Sequence, residues 1–203
     1  MPQERHEFVV EDTRRREVAA LIKALVVPRP IAWVSSRSPE GVDNLAPHSF
    51  FTVVSMVPPL VAFVSSGRKD SVRNIEATGE FVVSVTPASV MEQVNITGTS
   101  FPPDVSEFDQ AKVTREPAAT VDVARVAESP AALECSLHSV VELGDGLLVV
   151  GQVRHIAVAE HVLKKRGGGL HPEIESVNPV SRLGLDEWGV LGEIRTLTRG
   201  KPA

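Results

Sequence analysis

The 203-residue sequence predicts a mainly β fold, a small barrel with peripheral helices, in a single domain spanning 1–203. Three observations carry this. Six or more apolar, strand-like segments follow one another. Most are joined by tight turns. Only a few short helical patterns interrupt them. The regular alternation of strand and helix that builds a doubly wound parallel sheet is missing.

Taken in order, Thr13 to Val27 reads as a short helix, with Val18, Leu21, Ile22 and Leu25 on one face and Pro28 ending it. Ile31 to Ser36 is a strand and Ser38-Pro39-Glu40-Gly41 a turn. Val42 to Ser55 is extended but interrupted by Pro47, which cannot donate to a ladder and so implies an edge or a bulge. Leu60 to Ser65 is a strand after Pro58-Pro59. Asp70 to Ala77 is a helix that Asp70 or Ser71 can cap and Gly79 can close. Phe81 to Val85 is a strand, Val90 to Ile96 a helix, and Phe108 to Lys112 a helical turn. Ala132 to Leu143 and Leu147 to Ala159 are long strands joined by Gly144-Asp145-Gly146, a hairpin signal. Lys164 to Asn178, with Gly167-Gly168-Gly169 inside it, reads as a mobile loop, and Val190 to Leu197 as a last strand.

Composition narrows the function. Hydrophobic residues are 42% and charged residues 23%, enough apolar side chain for a core. Lys plus Arg is 21 and Asp plus Glu 26, a net charge of −5, so the footprint of a general nucleic-acid binder is missing. The lone Cys135 excludes an internal disulfide framework and Cys-rich zinc motifs, and fits a reducing compartment. The polar N-terminus does not resemble a signal peptide, and no apolar run approaches the ~18 residues of a membrane span. A soluble cytoplasmic protein is expected.

Common chemical motifs are missing. Gly167-Gly168-Gly169 follows Lys164-Lys165-Arg166 and no apolar strand, so a dinucleotide fold fails on context. His6, His48, His138, His155, His161 and His171 are scattered without metal-ligand spacing, and no metal site is expected.

Two segments can carry chemistry. Ser65-Ser66-Gly67-Arg68-Lys69-Asp70-Ser71 joins a strand to a helix start, where free backbone N–H groups, hydroxyls and two cations suit a phosphate monoester. The same residues equally suit a capped surface helix with solvated charges. Asn44-Leu45-Ala46-Pro47-His48-Ser49-Phe50-Phe51 is a polar, proline-broken strand whose unpaired amides and carbonyls can meet the edge of a heteroaromatic ring. By itself it is better read as an irregular edge strand. His48 is better read as structural than as a proton donor, and Cys135 and Trp33 as core; Trp188 can cover a pocket.

Together these segments, preceded by Pro28-Arg29-Pro30-Ile31-Ala32-Trp33-Val34-Ser35-Ser36 and followed by Pro58-Pro59-Leu60, Lys69-Asp70-Ser71-Val72-Arg73-Asn74-Ile75 and Thr78-Gly79-Glu80-Phe81-Val82-Val83, form a specific ordered set. Glu128-Ser129-Pro130, Leu133-Glu134-Cys135, Gly151-Gln152-Val153 and Arg182-Leu183-Gly184 extend it over roughly residues 20 to 195. The set resembles the flavin reductase-like, FMN-binding split-barrel family, in particular its flavoredoxin-type branch. Where the family often has a second Gly and a Tyr after Arg-Leu-Gly, this chain has Leu185 and, nearby, Trp188.

The resemblance implies a Greek-key split β-barrel and a homodimer with one FMN per subunit, held non-covalently near the dimer interface. The family's phosphate loop maps onto Ser65, Ser66, Gly67, Arg68, Lys69 and Ser71. Its isoalloxazine and ribityl contacts map onto Asn44, Leu45, Ala46, Pro47, Ser49 and Phe50. The function implied is an NAD(P)H-dependent flavin reductase that passes a hydride from nicotinamide to bound flavin. Flavin carries that chemistry, so no catalytic side chain is required. Reduced flavin would serve a partner monooxygenase or another acceptor. The alternatives are an FMN-binding electron carrier without steady NAD(P)H turnover, and a dimer that has lost flavin. The loop from Lys164 to Asn178, with Trp188 as its aromatic contact, is expected to gate the flavin; the alternative, weighted nearly equally, is an ordinary surface loop far from FMN.

Overall fold

A computed structural model describes residues 3–197. Its centre is a seven-stranded antiparallel sheet. In chain order the strands are β1 (Ala32–Arg37), β2 (Asp43–His48), β3 (Phe51–Met56), β4 (Pro59–Ser66), β5 (Glu80–Ser84), β6 (Ala131–Leu143) and β7 (Gly146–Val158). They lie side by side as β2-β1-β5-β6-β7-β4-β3.

That order forces the sheet to curl. β2 ends at His48 and β3 begins at Phe51, yet they are the two outermost strands. Three residue steps reach about 10 Å. Six inter-strand spacings across a flat seven-stranded sheet measure about 29 Å. Only a sheet rolled toward closure lets Ser49 and Phe50 bridge that distance. Among the described residues β2 pairs only with β1, and β3 only with β4, so the roll stays open between them. The result is a split barrel. Pro47 stands on β2 opposite Trp33, on an edge strand that can accommodate its missing N–H.

Period-two alternation divides the core. On β1, Ala32 and Val34 face a cluster with Val61, Phe63, Phe81, Cys135 and Val149. Ile31 and Trp33 face a second cluster with Leu45, Val94, Phe108 and Val126. The first is lined by β4 to β7 and the second is covered by the segments that follow β5, including α3 (Met91–Ile96) and α4 (Glu107–Gln110). Trp33 lies wholly inside, its Nε1 donating to Thr97 Oγ1 at 2.9 Å. Packing is tight where β7 crosses Phe81: a Cβ at Gly151 would lie 2.2 Å from the Phe81 ring.

The peripheral helices are α1 (Arg15–Leu25), α2 (Asp70–Thr78) and α5 (Ile174–Val177). α2 is not capped by a side chain; Lys69 occupies the N-cap position in extended conformation. Gly79 closes it at φ 76°, with its N–H bonded to the Ile75 carbonyl.

Three local expectations are corrected. Val42 to Ser55 is two strands, broken at Ser49-Phe50 where the chain crosses the open seam. Lys164 to Asn178 is no simple loop: Leu163–Arg166 and Gly169–Pro172 form a hairpin, followed by α5. Gly167 and Gly168 both take positive φ, 57° and 86°, which a two-residue hairpin turn needs and glycine supplies without strain. The last strand is Trp188–Gly189, paired with Ser181–Arg182, while residues 190–197 have no regular structure. No helix among the described residues is long and apolar enough to cross a membrane.

Candidate functional site

A cavity of about 900 Å³ opens beside the seam of the barrel. That is the size of a small-molecule or cofactor site. One wall is the β2–β3 corner, from Asn44 to Phe50 apart from Leu45, and a second is the β4–α2 loop, from Ser65 to Ser71. Residues 97–101, the Asp145-Gly146 hairpin tip and one face of α1 complete it. The strand order explains why two sequence segments meet here: β4 and β3 are neighbours, so the end of β4 comes close to the corner before β3. The Val64 N–H donates to the Phe50 carbonyl at 2.9 Å, tying the two walls together.

The β4–α2 wall favours an anion. α2 begins here, with its first N–H groups lacking helical partners. Gly67 turns the chain at φ 85°, and the Ser65 hydroxyl fixes the turn by donating to the Gly67 carbonyl at 2.9 Å. The two cations differ. Arg68 is engaged by Glu76 and by Glu142 (3.0 Å), and hydrogen bonding to Glu76 raises its pKa. Lys69 has no ion-pair partner among the described residues and keeps its charge for the cavity. Arg73 is paired with Asp70.

Set into the same cavity lining is a largely buried polar chain that begins at Glu107 and runs through Asn44 to Ser71. The Glu107 carboxylate accepts both Asn44 Nδ2 contacts (2.9 and 3.0 Å) and the Leu45 backbone N–H (2.9 Å). Asn44 Oδ1 accepts from the Ser71 hydroxyl at 2.9 Å and from Ser36 at 3.3 Å. Asn74 donates to Ser36 at 3.3 Å. Burial raises the Glu107 pKa, opposed by the hydrogen bonds from Leu45 and Asn44. Glu107 is not among the residues expected from the sequence, because its partner Asn44 lies 63 residues away. The one local signal was an acidic residue directly before the core residue Phe108.

His48 lines the cavity with its ring 4.4 Å from that of Phe63. Its Nε2 is shut off from solvent and has no hydrogen-bond partner among the described residues. Burial lowers its pKa to about 4; the Val64 backbone opposes the shift and the Lys69 charge adds to it.

The structure gathers Asn44, Ala46, Pro47, Ser49, Phe50, Ser65, Ser66, Gly67, Arg68, Lys69 and Ser71 around one cavity. Leu45 is different: its side chain is fully buried in the second core cluster and its amide is taken by Glu107. No residue from Lys164 to Asn178 lines the cavity, nor does Trp188, which packs under Arg182 at 4.9 Å. Of the other histidines weighed for a ligand contact, His155 stands 3.3 Å from Glu134 and His171 meets the Pro172 carbonyl at 2.8 Å; neither lines the cavity, nor does His161. Burial pushes the Cys135 thiol up to about 12. No group of three His, Cys, Asp or Glu side chains among the described residues could hold a metal. The α1 wall, with Val18, Ala19 and Ile22, was not foreseen from the sequence; an ordinary amphipathic helix gave no sign of where it docks.

A curled, seam-open antiparallel sheet with an anion-favouring loop and a polar strand at one cavity defines a ligand-binding split barrel. The chain belongs to the flavin reductase-like domain family, whose sequence profile matches residues 24–171. Among solved structures, nitrilotriacetate monooxygenase component B from Bacillus cereus is 32% identical with a TM-score of 0.90, the match covering 97% of this chain and 100% of that one. The 2-nitrobenzoate 2-nitroreductase NbaA from Pseudomonas fluorescens is 26% identical with a TM-score of 0.89, covering 96% of each. A split-barrel-domain protein from Shewanella frigidimarina shares the fold at 20% identity and a TM-score of 0.84, covering 94% of this chain and 96% of that one.

Proposed function

We propose that this chain binds FMN in the cavity and acts as an NAD(P)H-dependent flavin reductase. The observation that carries the reading is the pairing, across one cavity, of an unpartnered Lys69 at the start of α2 with the polar corner Asn44–Phe50. The first suits a terminal phosphate: free backbone donors, the positive end of a helix and an uncommitted cation. The second suits the ring and ribityl chain of the same ligand. The buried, unpartnered His48 Nε2 fits a site whose polar complement is a bound molecule.

Lys69, Ser66 and the amides around Gly67 hold the phosphate end. Ala46, Pro47, Ser49 and Phe50 bound the other end. α1 closes one side with Val18, Ala19 and Ile22, which reduces water access. Bound FMN supplies hydride acceptance from a reduced nicotinamide and delivery of electrons onward. The protein supplies position and electrostatics; no side chain is assigned a proton-transfer role.

The acting unit is a homodimer. Val53, Val54, Met56 and Val57 on and after the half-paired edge strand β3 are exposed, Val57 at 92%, and Phe50 joins that patch to the cavity. A second copy of the chain would cover this edge with one self-complementary surface. Similarity to a monooxygenase component over the whole chain favours a partner monooxygenase as the destination of reduced flavin. The chain is assigned to the cytoplasm, whose reducing conditions its lone buried thiol suits.

Anaerobic mixing of the FMN-loaded protein with NADH, then with NADPH, tests the reading. Loss of the flavin's visible absorbance at a catalytically useful rate with either one supports a reductase. FMN that stays oxidised with both overturns NAD(P)H dependence and leaves an electron carrier.

A further inference from the structure

The largely buried polar chain in the cavity wall has a direction. Asn44 can be oriented two ways, and its carbonyl and amide ends differ only in what they bond. Three contacts decide the matter. Both Asn44 Nδ2 contacts and the Leu45 N–H converge on the two Glu107 oxygens at 2.9–3.0 Å. The Leu45 N–H can only donate, so the carboxylate is held as an acceptor, and the Asn44 amide completes the set of donors around it. Asn44 Oδ1 is then the end that faces Ser71 and Ser36, and it can only accept. The Ser71 hydroxyl has one proton and spends it on Asn44 Oδ1 at 2.9 Å. Glu107, Asn44 and Ser71 are 7%, 8% and 2% exposed, so water does not scramble this order.

Resting on the flavin reading above, we infer that Glu107 is a positioning residue that fixes the hydrogen-bond polarity of the cavity wall, so that Ser71 Oγ meets the ligand as an acceptor and reads a hydroxyl or N–H of the flavin, the ribityl chain above all, rather than its phosphate. A phosphate dianion offers only acceptors and cannot use a hydroxyl whose proton is committed elsewhere. The phosphate therefore relies on Lys69, Ser66 and backbone amides. A ribityl hydroxyl, in contrast, can donate to Ser71 and extend the chain: ligand to Ser71, Ser71 to Asn44, Asn44 to Glu107. Each bond polarises the next, and the chain ends on a negative charge.

Replacing the charge permits reversal. In Glu107→Gln the new amide can donate to Asn44 Oδ1 after an Asn44 flip. Asn44 would then present Nδ2 to Ser71, and Ser71 would be free to donate into the cavity. Shape and volume are nearly conserved, but the wall's polarity is lost.

The probes are FMN, riboflavin, which lacks the phosphate, and lumiflavin, which lacks both phosphate and ribityl hydroxyls. Affinities are measured by fluorescence quenching for the unmodified chain, Glu107→Gln, Ser71→Ala and the double variant. We expect the unmodified chain to prefer riboflavin to lumiflavin. Each single variant should weaken riboflavin about five- to tenfold, the worth of one hydrogen bond in a chain ending on a charge, and leave lumiflavin within about twofold. The double variant should lose little more than either single one, because both break the same chain. Ser71→Thr, which keeps the hydroxyl, should restore the preference. Ser71→Ala keeps the test decisive if Glu107→Gln fails to fold. Three results overturn the inference: equal weakening of riboflavin and lumiflavin by the variants, additive losses, or a Ser71→Ala loss confined to FMN. Failure of the unmodified chain to bind any of the three flavins would instead sink the functional reading.

Discussion

Substituting Lys69 by Ala probes the anion wall directly. Two cations stand in this loop, but their surroundings are unequal. Arg68 has two carboxylate partners, Glu76 and Glu142, so most of its field is neutralised before a ligand arrives. Lys69 has none among the described residues and sits at the first position before α2. A charge-assisted hydrogen bond contributes roughly 1.5–3 kcal/mol. Lys69 is exposed, which puts its contribution near the lower end through solvent screening. Lys69→Ala should therefore weaken FMN about tenfold, from about 1.5 kcal/mol. Riboflavin affinity should change less than about twofold, because the contact it loses does not exist. Arg68→Ala should weaken FMN less than Lys69→Ala does. Titration of both flavins at low and at physiological ionic strength gives the readout, and the FMN deficit should shrink as salt rises. Equal loss of FMN and riboflavin, or a larger effect from Arg68→Ala, would refute the assignment of Lys69 to the phosphate.

His48 has a folded pKa of about 4 against an ordinary 6.5, so its neutral form is favoured by folding. The unfolded chain binds more protons between these values. Stability should thus rise with pH through that window and be lost as pH falls from 6.5 toward 4, by at most about 3 kcal/mol; His48→Gln should flatten this slope in urea melts. Gly151→Ala should destabilise the barrel by about 1–3 kcal/mol, seen as a lower melting temperature, because the new methyl meets the Phe81 ring. Cys135, with its thiol pushed up to about 12 and no exposure, should react with thiol reagents only after unfolding. Met56→Asp, on the exposed β3 patch, should shift sedimentation from dimer toward monomer at micromolar concentration; an unchanged dimer would place the interface elsewhere.

What was legible in the sequence was local. The β6–β7 hairpin announced itself through Gly144-Asp145-Gly146, and α2 through its position between an apolar strand and Gly79. Pro47 marked an edge strand because a missing N–H has the same consequence in any sheet. The two cavity walls were recognisable as segments, and the curl of the sheet brought them together. What escaped depended on distant partners. Glu107 gains its role only by meeting Asn44 across the fold. α1 shows a helical pattern, but nothing in it says that Val18 and Ile22 line a cavity. Gly167-Gly168 was read for its freedom, whereas the flanking residues pair and turn that freedom into a tight hairpin. Trp188, a candidate cover by sequence, stacks with Arg182 and does not line the cavity.

If the cavity between the β4–α2 loop and the β2–β3 corner is an FMN site, the purified protein carries or takes up FMN. Denaturing the purified protein and separating the released flavin by chromatography tests it most directly. FMN should be the predominant species, approaching one per chain after reconstitution. Predominant FAD, or a chain that retains no flavin even when FMN is supplied in excess, would contradict it.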